Sequence, residues 1–198
     1  MNQKITKGQK TKQDILQKAN QLFSDHGFDA TGIDQIAGEL NLSSGVFYNY
    51  FSSKSDLLKQ VVELKIERSK EFLLVVREKE SATDWVQRFL NLYLSVEHKN
   101  STQKSCPVTT LSQELTKLNL HESMGLSEYA KEFTNVLNRR LLMISPKNAG
   151  KANAIMSLCI GAVIMARLER DVNKSTEILN QALMAAQSMI EQRGFGVS

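Results

Sequence analysis

Cys106 is the side chain best placed to do chemistry. It stands immediately before Pro107, and a proline at the first helical position marks a helix N-terminus just upstream. There the macrodipole stabilises a thiolate, and Lys104 adds positive charge two residues earlier. This reading expects a lowered thiol pKa and two uses. One is a sensor of electrophiles or oxidants; the other is a nucleophile with His98 or His121 as its base. The opposing reading is an inert packed thiol, because free cysteines are among the most buried residues. Cys159, inside an apolar stretch, reads as structural. The two cysteines form no CxxC pair, and glycine-rich phosphate loops, HExxH and paired catalytic carboxylates are absent from the sequence. No catalytic residue, metal or cofactor is therefore expected.

The elements that must position these groups are helical. The chain has 198 residues, 41% hydrophobic and 23% charged, with only 2 prolines, and apolar residues recur at i, i+3, i+4 along most of it. These values exclude a collagen, a disordered chain and a disulfide scaffold, and leave room for two modest helical units. The apolar run Ile155 to Ala166 falls short of the roughly 20 residues a membrane helix needs. The polar start carries no secretory pattern, so a cytoplasmic protein without a membrane partner is expected. The formal charge is +4. Lys4, Lys7, Lys10 and Lys12 precede the first expected helix without an acid among them. That arm is suited to neutralising phosphates or simply to staying solvated.

Thr11 to Asp14 reads as a capping box opening a helix with Ile15, Leu16, Ala19, Leu22 and Phe23 on one face, stopped at Gly27. A second box, Thr31 to Asp34, opens a short helix with Ile36, Ala37 and Leu40 inward. Asn41 then suits a left-handed turn, and Ser43 caps a third helix over Ser44 to Tyr50. Two short helices joined by so tight a turn make a helix-turn-helix pattern. Ser53 to Asp56 caps a longer helix with Leu57, Leu58, Val61, Val62, Leu64 and Ile66.

The run FSDHGFDATGIDQIAGELNLSSGVFYNYFSSKSDLL within Thr11 to Val62 resembles the N-terminal DNA-binding domain of TetR-type transcriptional regulators. The resemblance implies an all-α protein: a basic arm over 1–10, a three-helix helix-turn-helix domain over 11–52, and a helical effector-binding and dimerisation domain over 53–198. It also implies roles at matching positions. Thr31 caps the second helix and touches a phosphate, Tyr48 does so from the recognition helix, and Lys54 does so at the next helix start. Gly45 lets the backbone approach the groove, while Ser43, Ser44, Val46 and Asn49 face the operator. Many relatives carry lysine where this chain has Ser44, so part of the phosphate contact falls to the arm, through Lys10. Ser105 to Glu114 also resembles a segment of a TetR subgroup, some of whose members sense electrophiles through the cysteine.

Beyond about Ser69 the sequence reads as helices over Asp84 to His98, from Pro107 to Leu118, near Ser127 to Ile144, near Lys151 to Arg170 and near Ser175 to Arg193. Small and apolar residues on the last two helices, Ala154, Leu158, Gly161 and Ala162 with Ala182, Ala186 and Met189, permit close helix approach. The resemblance implies a homodimer through that pair. Trp85, Phe89, Tyr93, Met124, Phe133 and Met165 are candidates for an apolar effector pocket, with Cys106 and Arg167 as its polar groups.

The resulting expectation is a repressor that binds double-stranded operator DNA. It is released by a small-molecule effector or by modification of Cys106. A helical enzyme using Cys106, and a helical interaction protein without DNA binding, stand as the alternatives.

Overall fold

A computed structural model describes residues 6–101, 105–121 and 123–191, apart from the side chain of Phe72. Among them are ten α-helices and no strand: α1 Lys7–His26, α2 Ile33–Gly38, α3 Ser44–Tyr48, α4 Lys54–Ser69, α5 Ala82–Tyr93, α6 Val96–Asn100, α7 Pro107–Lys117, α8 Leu126–Ile144, α9 Lys151–Leu168 and α10 Val172–Ser188. A π-helical turn at Lys70–Leu74 continues α4. The all-α expectation holds.

The first helix starts earlier than expected. Thr6 accepts from the Gln9 N–H at 3.2 Å, and Gln9 Oε1 accepts the Thr6 N–H at 2.8 Å. This reciprocal cap satisfies two otherwise unpaired donors. Thr11 lies inside the helix and donates to the Lys7 carbonyl. Lys7, Lys10 and Lys12 thus stand on α1 rather than on a free arm, and Lys4 lies outside the described residues. Gly27 closes α1 at φ +86°, where a Cβ would be strained. Asn41 makes the α2–α3 turn at φ +54°, as its type suggests.

Ile15, Ala19, Leu22 and Phe23 of α1 meet Ile36, Phe47 and Phe51 in a buried core. Leu57, Leu58, Val61 and Val62 of α4 close it from the other side. Lys18 pairs with Glu39 at 3.1 Å, tying α1 to the end of α2. The helix expected over Asp84 to His98 is broken. Ser95 accepts from the His98 N–H and donates to the Leu92 carbonyl, and this local cap ends one helix and starts another.

An aromatic stack fills the second unit. Trp85 and Phe89 lie parallel with centroids 5.4 Å apart, and Phe133 meets Phe89 edge-on at 5.4 Å. α9 is longer than the apolar run read from the sequence. Its 18 residues average a hydropathy of 1.4, enough by length and composition alone to cross a membrane. Ala152, Ile155, Met156, Cys159, Ala162, Val163 and Ala166 along it are buried in the protein. Ile164, Met165 and Leu168 remain exposed.

Candidate nucleic-acid interface and the cleft behind it

α3 presents the outward row expected of a reading helix. Phe47 is buried and anchors it, stacking near Phe51 at 5.4 Å. Tyr48 is 57% exposed, its ring edge-on to Phe47, and Ser43, Gly45 and Asn49 are exposed beside it. Val46 is half-buried. A Cβ at Gly45 would have only Ser43 Oγ nearby, at 3.8 Å, so nothing inside the protein requires glycine there. Ser43 caps α3 by backbone alone. The Ser44 hydroxyl donates to Asp34 Oδ1 on α2, which locks the two helices together and takes that hydroxyl away from a base edge.

Thr31 differs from expectation. Its side chain is 0% exposed, and its hydroxyl donates to the Gly27 carbonyl at 2.8 Å. Gly32, not Thr31, is the N-cap of α2, and it brings no side-chain cap. A threonine buried under the α1–α2 corner holds that corner and cannot reach a phosphate through its hydroxyl. Lys54 opens α4 with its ammonium 4.3 Å from the Phe28 ring centroid and within 3.4 Å of the Asp29 carbonyl. Lys10 is exposed on α1.

The pocket residues divide. Trp85, Phe89, Tyr93 and Phe133 are buried against each other, and Met124 is buried near α8. Among the described residues these rings pack on one another within the hydrophobic core. Met165 lies outside on α9, 57% exposed. Of the eight candidates only Arg167 lines the polar cleft of about 260 Å³ between the end of α1 and the segments α6, α7 and α9.

Cys106 also departs from the reading of a reactive thiol. It is 1% exposed, and burial pushes its thiol pKa up rather than down, with Tyr93, Val108 and Tyr129 opposing only in part. Its sulfur lies 3.9 Å from the Tyr129 hydroxyl, which itself pairs with Ser69 at 2.7 Å. His98 is buried, but its Nε2 accepts the Cys106 backbone N–H at 2.9 Å. It serves the backbone, not the thiol, so the nucleophile–base pair does not assemble there. Lys104 lies outside the described residues. Cys159 is buried and burial pushes its thiol to about 12.

One feature the sequence reading passed over is Lys65, 1% exposed on the same face of α4 as Val61 and Val62. Burial, helped by the charge of Arg167, lowers it to about 8. Its Nζ donates to Ser105 Oγ at 3.4 Å. Its position four residues after Val61 was the available signal, because a lysine on an apolar stripe is rare.

The α9–α10 residues divide as well. Leu158, Gly161, Ala162 and Ala182 line an open apolar groove of about 530 Å³, together with Met165 and Ile178. Ala186 is fully buried within the protein, so it packs α10 inward. Ala154 is exposed and Met189 half-buried.

Residues 15–61 match the family described as bacterial regulatory proteins, tetR family. The chain is 30% identical over 89 residues to YuxN, an HTH-type transcriptional regulator of Bacillus subtilis, covering 43% of this chain and 31% of that one. It is 26% identical over 113 residues to UidR of Escherichia coli, covering 57% and 56%. The chain thus spans 31% and 56% of the length of these two curated relatives. Among solved structures, reduced NemR of E. coli superposes with a TM-score of 0.70 at 21% identity over 93% of this chain and 99% of that one. A TetR transcriptional regulator of Legionella pneumophila does so at 0.75, 21% identity, over 96% and 100%. At such identities the likeness is one of fold, and it extends through both helical units.

Proposed function

With residues 15–61 belonging to the tetR family of bacterial regulatory proteins, we propose that the chain is a dimeric, cytoplasmic, DNA-binding transcriptional repressor. It leaves a palindromic operator when a small molecule binds its helical unit or when Cys106 is modified. The observation that carries this reading is the exposed row of Gly45, Tyr48 and Asn49 on a short helix held rigid from behind by Phe47 and by the Ser44–Asp34 bond. Such a helix can enter a major groove, with Asn49 and Val46 meeting base edges and Tyr48 a phosphate.

One reading head contacts one half-site, so two-fold recognition needs a second copy. The apolar groove and the exposed Met165, Leu168 and Val172 along α9 and the α10 start supply a surface for it. Release then requires an effector with different affinities for the two arrangements of the heads. Of the two triggers, the burial and raised pKa of Cys106 favour a non-covalent effector, since a reagent reaches that sulfur only after local opening.

The experiment is binding of the purified protein to DNA from upstream of its own coding region, before and after treatment with a thiol-reactive electrophile, beside Cys106→Ser. Salt-dependent binding to that DNA supports the reading, and its absence returns the chain to a helical interaction protein. Release of the wild type but not of the variant makes Cys106 the trigger. Retention of both leaves the non-covalent effector.

A further inference from the structure

Arg167 is half-buried. Its Nε donates to the Lys99 carbonyl at 3.0 Å and its Nη1 to the Thr109 carbonyl at 3.2 Å. These bonds pin the guanidinium plane to the wall of the 260 Å³ cleft and leave Nη2 without a partner among the described residues. Lys99 lines the same cleft, and among the described residues its ammonium donates to Ser175 Oγ alone, at 2.9 Å. Among the described residues no carboxylate lies within ion-pair distance of either cation. Lys65 is buried close enough that Arg167 helps to hold its pKa down.

Positive charges drawn together away from water repel one another and lose hydration. A fold that keeps Arg167 and Lys99 with no acid of the described residues in ion-pair range gains stability from any anion that enters. The shape suits the charge. A guanidinium fixed by two carbonyls offers its remaining N–H groups in a fork matched to a carboxylate or phosphate. Asn100 and Thr110 add polar lining beside it. The volume lies below the range of drug-sized pockets, so the ligand is small. Ser24 and Asp25, at the end of α1, line the same cleft. Asp25 is exposed and carries the one negative charge among the described lining residues.

We propose that this cleft binds a small molecule through a carboxylate or phosphate group, gripped by Arg167 and Lys99, and that the bound anion repels Asp25 and shifts α1 against the second helical unit. α1 packs on α2 and α4, so a displacement at its end moves the reading helix. The regulatory half rests on the operator reading above; anion binding does not. The site is polar and lies between the two units, and its described lining includes none of the stacked rings of Trp85, Phe89 and Phe133.

The test is thermal unfolding of the full chain in graded inorganic phosphate, and separately in pyruvate, at ionic strength held constant with sodium chloride. Choline serves as the cationic control. A saturable rise in Tm is expected in the wild type. Lys99→Gln should weaken apparent affinity about tenfold through one lost charge-assisted bond, and Asp25→Asn should tighten it several-fold by removing the negative charge. Arg167→Lys, which keeps the charge without the fork, should also weaken it.

Phosphate stabilises proteins generally by exclusion from their surface, but that effect would be equal in all four proteins. Equal curves, or no rise with either anion, overturn the proposal. A response to phosphate alone or pyruvate alone fixes which oxyanion the site takes. Operator binding by the same proteins separates the two readings. A wild type that shows the charge-dependent rise but binds no operator overturns the DNA reading and keeps the cleft. Operator binding untouched by saturating anion overturns the coupling to α1.

Discussion

The backbone N–H of Cys106 donates to His98 Nε2 at 2.9 Å, while His98 Nδ1 donates to the Tyr93 carbonyl at 2.7 Å. The ring joins the end of α5 to the start of α7 only as the neutral tautomer with its proton on Nδ1. Protonating Nε2 would set two donors against each other in a buried place. Burial accordingly lowers the His98 pKa to about 4; Arg167 pushes the same way and the Tyr93 bond opposes.

A free histidine titrates near 6.5, so between about pH 6.5 and 4 the unfolded chain holds a proton that the folded chain refuses. This contribution is complete above pH 6.5 and is lost as pH falls toward 4, by about 3 kcal/mol at most. Denaturant unfolding of the wild type and His98→Gln across that window should give a steeper loss for the wild type. Parallel curves would remove His98 as the cause.

The aromatic stack predicts a different kind of loss. Phe89 is fully buried against Trp85, Tyr93 and Phe133. Phe89→Ala should cost about 3–5 kcal/mol in denaturant unfolding, because the rigid rings around it collapse only partly into the space. A cost under about 1 kcal/mol would mean that the site is loosely packed and open to a ligand, as the sequence reading had it.

Local chemistry was largely legible, and assembly was not. Ser53 caps α4, Pro107 opens α7 and Asn41 turns left-handed, since each depends on a few neighbouring residues. Thr11 and Thr31 misled because a capping sequence is not a capping geometry. The Thr6–Gln9 box starts α1 first, and Thr31 turns its hydroxyl back to Gly27. The Arg167 cleft is built from α1, α6, α7 and α9, whose residues lie up to most of the chain apart. No pattern of spacing joins Asp25 to Arg167. Trp85, Phe89, Tyr93 and Phe133, read as pocket candidates, are buried in the core, and composition does not separate a core side chain from a pocket wall.

The exposed face of α9 predicts self-association. Met165 is 57% and Leu168 73% exposed beside the groove, and neither supports the monomer's core. Met165→Lys should leave the far-ultraviolet circular dichroism unchanged and weaken self-association at least about tenfold, since a central apolar contact is replaced by an ammonium that must be desolvated. Sedimentation velocity reads this directly. A dimer of unaltered strength would place the interface elsewhere.

The lysines of α1 and α4 make a graded prediction for DNA. Each phosphate neutralised contributes about 0.9 to the slope of log K against log salt. Lys54→Gln should lower the slope by about 0.9 while leaving base preference unchanged, because the residue stands at a helix start beside the reading unit and not in it. Lys7→Gln with Lys10→Gln should lower it by up to about 1.8 if both reach the duplex. Deleting residues 2–10 is the poorer test, since it removes the Thr6–Gln9 cap and the first turn of α1 and so changes the helix together with its charge. An unchanged slope in the double variant would free α1 of any phosphate contact and leave Lys54 and Tyr48 to anchor the recognition helix.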